Sequence, residues 1–183
     1  MAKIVKSVFG ITLLMTICSC IIYQFIDDKI FLTFAITFGT TAYHFGVRLF
    51  IGTLFNCIMK NKADYTRRWY WVNDLEMKFY KKMNVKKWKN KMPTYDKDTF
   101  DISRHSWNEI IHATCQAELV HESNVVLIFL TLVSSVWFGE FTVFFITSML
   151  SAAFDLMFVF MQRFNRARIL KMKEIKANDK GIL

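Results

Sequence analysis

Apolar residues along this chain gather in long blocks instead of alternating with polar ones. The first block runs from about Ser7 to Ile26, is interrupted by Asp27, Asp28 and Lys29, and is followed by a second from Ile30 to about Met59. A third runs from Asn124 to Phe138; Gly139 and Glu140 break it, and a fourth runs from Phe141 to about Phe160. A helix needs roughly 20 apolar residues to cross a bilayer. The pattern therefore predicts an all-α polytopic membrane protein with four transmembrane helices, at about 7–26, 30–55, 124–138 and 141–161. All 183 residues are expected to form a single membrane domain, with a cytoplasmic or interfacial helical insert at 60–123. The tight turn at Asp27–Lys29 predicts an antiparallel helical hairpin. The third block is short for a full crossing, and either borrows residues upstream or enters the membrane only in part.

The insert carries its own pattern. Tyr65, Trp69, Tyr70, Trp71, Phe79, Tyr80 and Trp88 are interleaved with Lys78, Lys81, Lys82, Lys86, Lys87, Lys89 and Lys91. Rings at headgroup depth beside lysines that reach phosphate fit an interfacial helix, so anionic phospholipid is the partner expected at Lys78–Lys91. The same interleaving can serve single-stranded nucleic acid, but the flanking apolar blocks argue against it, and no nucleic acid is expected. A plain solvated charge run that sets topology is the blander alternative. After Pro93, the aspartates Asp96, Asp98 and Asp101 read as loop and cap residues, and Ser103 is expected to cap a helix from about Arg104 to His121.

Charge adds an orientation. Of the +9 formal charge, most flanks the apolar blocks: Lys3 and Lys6 before the first, the 60–97 segment after the second, and Arg163 to Lys176 after the fourth. Basic residues mark the cytoplasmic side, which places both termini and the insert there and the chain in the cell membrane as a multi-pass protein. Lys3 and Lys6 before an apolar run also suggest a signal peptide, but no small-residue cleavage site follows, and a retained span is expected. Cys18, Cys20, Cys57 and Cys115 match no metal or redox spacing and read as small buried hydrophobes without a disulfide.

Several polar groups could carry chemistry. His44 and Arg48 lie one turn apart inside the second block, where ionisable side chains are costly unless they face protein, water or a headgroup. Asp155 in the fourth block wants a cationic partner, and Arg48 or His44 is the obvious one. Such a pair could equally do no more than hold two spans together. On the helix before the third block, His105, Glu109, His112 and Gln116 share one face and Glu118, His121 and Glu122 another. The Glu118-x-x-His121 spacing lets a carboxylate touch an imidazole, either to orient a general base or to help ligate a metal.

The stretch Gln116-Ala117-Glu118-Leu119-Val120-His121, with Gln162-Arg163-Phe164-Asn165-Arg166-Ala167-Arg168 after an apolar hairpin, resembles the small bacterial membrane proteins of the glycosyl-diaponeurosporenoate acyltransferase family. Ala167 stands where that family has proline, and His112 where it has glutamate. The resemblance implies transfer of a fatty acyl group to a hydroxyl of a membrane glycolipid or related lipid, with acyl-CoA or another acyl donor as co-substrate and no bound cofactor. It implies His121, Glu118 and His112 as catalytic residues, with His121 as general base oriented by Glu118. Arg163, Asn165, Arg166 and Arg168 would hold the substrate, and His44, Arg48 and Asp155 are further substrate-binding candidates. Two other readings stay open: a metal-dependent lipid-modifying enzyme using His105, His112, Glu118 and His121, and a non-catalytic lipid-binding or assembly protein. A small transporter is a weaker third.

Overall fold

A computed structural model describes residues 2–93 and 98–179; Asp96, expected in a loop, lies outside them. The chain is all-α in them. Helices α1 (Ala2–Ile26) and α2 (Lys29–Met59) precede short helices α3 (Asp74–Lys82) and α4 (Val85–Trp88), then α5 (Trp107–Ile128), α6 (Thr131–Phe138) and α7 (Phe141–Asp179). Four helical stretches are long and apolar enough to span a membrane: 3–26, 29–59, 107–138 and 141–179. Leu14, Phe50, Val136, Trp137 and Leu150 are among the large apolar side chains left exposed on them, as hydrocarbon-facing surface requires.

The third span is where sequence and structure differ most. The amphipathic helix and the short apolar block are one stretch, α5 continued by α6, so the block does borrow residues upstream. The helix starts at Trp107 rather than Arg104, because Ser106, not Ser103, builds the capping box: its hydroxyl accepts from the Glu109 amide at 3.3 Å, and Glu109 Oε2 accepts from the Ser106 amide at 2.7 Å. Ser103 instead donates to Asp101 at 2.7 Å. His105 consequently precedes the helix.

Two compact units divide the chain, residues 1–53 with 122–156 and residues 54–121 with 157–183. In the first unit, Asp27 and the Gly139–Glu140 pair adopt left-handed backbone at the tight turns, and the Asp28 carboxylate accepts from the Ile30 amide at 2.9 Å to start α2. Gly46 lets α1 approach α2 closely: a Cβ there would sit 3.0 Å from the Phe9 ring. The second unit packs Ala63, Tyr70 and Cys115 into one core cluster and Tyr80, Val85 and Phe164 into another. Cys115 is buried as expected, but Cys18, Cys20 and Cys57 are exposed on spanning helices, where a small apolar thiol costs little against lipid; all four are free thiols.

Candidate functional site

Glu118 lies on α5 with no exposed surface, in the second unit. A carboxylate that deep must be paired, and two residues of α7 pair it. Arg163 Nη1 donates to Oε1 at 2.5 Å, and Arg166 Nη1 stands 2.5 Å from Oε2. Positions 163 and 166 are one turn apart on a helix, so both guanidinium groups reach the same acid. Arg163 also donates to both oxygens of Glu76 on α3, at 2.5 and 3.1 Å, and to the carbonyls of Trp69 at 3.0 Å and Trp71 at 2.8 Å. Arg166, 1% exposed, donates twice to the Tyr70 carbonyl, at 3.2 and 2.8 Å, and lies over the Tyr70 ring. Two acids and two bases thus form a neutral cluster that fastens the 68–71 turn and α3 to α7.

The cluster sets local ionisation. Burial works against the Glu76 carboxylate, but hydrogen bonds from Arg163 and Tyr80 outweigh it and hold the group below its usual range. Burial, then the Glu76 charge it donates to, raises the Tyr80 phenol. Tyr70 is pushed up to about 12, chiefly by burial.

His121 follows Glu118 by one turn and is half-buried. Its ring lies flat against Phe158, centroids 4.5 Å apart and planes within 5°. One face is therefore covered, and proton transfer can occur only along the ring edge. His112 is held differently: its Nδ1 lies 2.5 Å from the Ala63 carbonyl and its ring meets Tyr65 edge-on. A carbonyl only accepts, so Nδ1 carries the proton and Nε2 is left as the basic nitrogen. Gln116 accepts from the Asn61 amide at 2.7 Å, fixing the exit of α2. Asn165 accepts from Lys89 Nζ at 2.5 Å, and Arg168 is exposed with its guanidinium over Phe164. Glu118, Arg163 and Arg166 are brought together; His112 and Asn165 each bind something else.

His44, Arg48 and Asp155 belong to the first unit. Arg48 Nη2 donates to Asp155 Oδ2 at 2.5 Å and to the Ser151 hydroxyl at 2.8 Å, and Nη1 to the His44 carbonyl at 3.0 Å. The expected Arg48–Asp155 pair is present. Asn124 completes it, donating to Asp155 Oδ1 at 3.3 Å. Sequence reading passed over Asn124, although a buried amide at the head of an apolar block was the available signal; Glu76, the acid ahead of the lysine run, was passed over likewise. His44 Nε2 and Asn124 Oδ1 are buried without a hydrogen-bond partner among the described residues. Among those residues no three His, Cys, Asp or Glu side chains gather to hold a metal ion, so His105, His112, Glu118 and His121 do not form a ligand set.

A family model described as glycosyl-4,4'-diaponeurosporenoate acyltransferase matches residues 66–175, more than half of the chain. Comparison with curated proteins and with solved structures gave no match.

Proposed function

Because this chain belongs to the glycosyl-4,4'-diaponeurosporenoate acyltransferase family, we propose that it transfers a fatty acyl group to a hydroxyl of a membrane glycolipid or related lipid. His121 is the general base in this reading. Its edge nitrogen takes the proton of the acceptor hydroxyl as that oxygen attacks the acyl carbonyl, and returns a proton to the leaving group; with acyl-CoA as donor, the C–S bond breaks as the C–O bond forms. Glu118 anchors the polar turn of α5 to α7 through Arg163 and Arg166, and so positions the histidine indirectly. The observation that carries the reading is that Glu118, His121 and the arginines paired to Glu118 all fall within the matched segment.

The test is transfer of a labelled acyl chain from acyl-CoA to extractable glycolipid in membranes holding the full chain. His121→Ala is expected to lower the rate about 100-fold or more at unchanged protein level, in line with loss of a general base. Unchanged transfer would remove His121 from the mechanism. A non-catalytic lipid-binding protein would transfer no label in any variant.

The basic flanks support a multi-pass location in the cell membrane with both termini and residues 60–106 on the cytoplasmic side. On that side an acyl donor from the cytoplasm reaches the second unit directly.

A further inference from the structure

Arg163 cannot greet a substrate anion. A guanidinium has five N–H donors, and here Nε, both hydrogens of Nη1 and both of Nη2 are spent on Glu76, Trp69, Glu118 and Trp71. Arg166, 1% exposed, is buried against Glu118 and Tyr70 and out of reach of a ligand. Two other cations, Lys89 and Arg168, lie over a single ring. Phe164, 5% exposed, packs with Tyr80 and Val85 as a fixed platform. Lys89 Nζ stands 5.6 Å from its centroid and Arg168 Cζ 5.7 Å. Among the described residues neither cation meets a carboxylate, and the Lys89 ammonium donates to the neutral Asn165.

That arrangement is unfavourable when empty. Two positive groups approach one aromatic ring, and Lys89 is half-buried. Its ammonium is held below the usual lysine range, by burial first and then by Arg168 and Lys86. Like charges are tolerated near one another when an anion joins them, and both a guanidinium and an ammonium bind phosphate well.

We propose that Lys89 and Arg168, gathered over Phe164 with Asn165 holding the lysine, form a phosphate-binding site. The phosphate belongs either to a nucleotide-bearing acyl donor or to an anionic lipid headgroup. Choosing a donor rests on the acyl-transfer reading above; binding itself does not.

The experiment uses the full chain in phosphatidylcholine nanodiscs, titrated with coenzyme A, and in detergent micelles, scored for retained phosphatidylglycerol. Lys89→Gln and Arg168→Gln are each expected to weaken one of these about ten-fold, the loss of one charge-assisted hydrogen bond. Lys171→Gln, exposed on the same helix, is expected to change neither. A loss confined to coenzyme A assigns the site to a soluble donor, and one confined to phosphatidylglycerol assigns it to a headgroup. Wild-type binding of both ligands by both variants, at wild-type thermal midpoint, would overturn the site. So would an equal loss in Lys171→Gln, which would mark diffuse attraction. Because binding is read without turnover, failure of the acyl-transfer reading leaves this result standing.

Discussion

Glu118 is the residue on which the second unit turns. Its two oxygens answer two guanidinium groups, and with Glu76 the four charges cancel. Removing one partner of a buried pair strands the other, at a cost of about 3–5 kcal/mol. Glu118→Gln keeps the shape and deletes the charge, so it is expected to lower unfolding free energy by about 3 kcal/mol in detergent micelles, as read by denaturant titration. An unchanged midpoint would mean that the arginines find equal solvation without it. Acid should act through Glu76. Its folded-state carboxyl lies below the ordinary value, so its contribution is complete above the unfolded-state range and is lost as pH falls through the depressed value. Much of this was within reach of the sequence: Glu118, Arg163 and Arg166 stood out by spacing and resemblance. What could not be read was the pairing. Helical periodicity says which residues share a face, but not that the carboxylate would meet two arginines of another helix.

At the scale of elements, the break between α5 and α6 shows how a spanning helix tolerates interruption. The Leu127 carbonyl accepts from the Leu130 amide at 3.1 Å and from the Tyr43 hydroxyl at 2.9 Å, while the Ile128 carbonyl accepts from the Thr131 hydroxyl at 2.9 Å and the Ser148 hydroxyl at 3.4 Å. Ser148 on α7 meets Thr131 at 2.8 Å. No water is needed inside hydrocarbon when hydroxyls supply the donors. The block lengths were legible because a bilayer sets them; the break was not, since Phe129 and Leu130 carry no glycine or proline to announce it. Packing of α1 on α2 depends on a missing side chain. Gly46→Leu would drive a Cβ to 3.0 Å from Phe9, and is expected to cost about 1–3 kcal/mol as overpacking. Gly52→Leu, with nothing within 4 Å of its added Cβ, serves as the control. Equal thermal midpoints for the two variants would show that Phe9 moves aside freely.

For the whole molecule, the four spans follow from hydropathy alone, whereas orientation follows from charge. A reporter enzyme active only in the cytoplasm, fused at the N-terminus or at the C-terminus, is expected to work in both positions. Activity at one end only would imply an odd number of crossings and displace the orientation proposed above. The division into two units was not visible beforehand, because α2, α5 and α7 each supply residues to both and no linker composition marks a boundary.

The neutral cluster around Glu118 has one more consequence. Glu118 and Arg166 at its centre are shut away from mobile ions, whereas Arg168 is open to them. Counterions weaken attraction between exposed charges within about 10 Å at 0.1 M ionic strength but reach buried pairs poorly. Raising sodium chloride thus loosens whatever phosphate the outer cations hold and leaves the inner scaffold standing, so the protein can release a charged ligand without softening the frame that presents it.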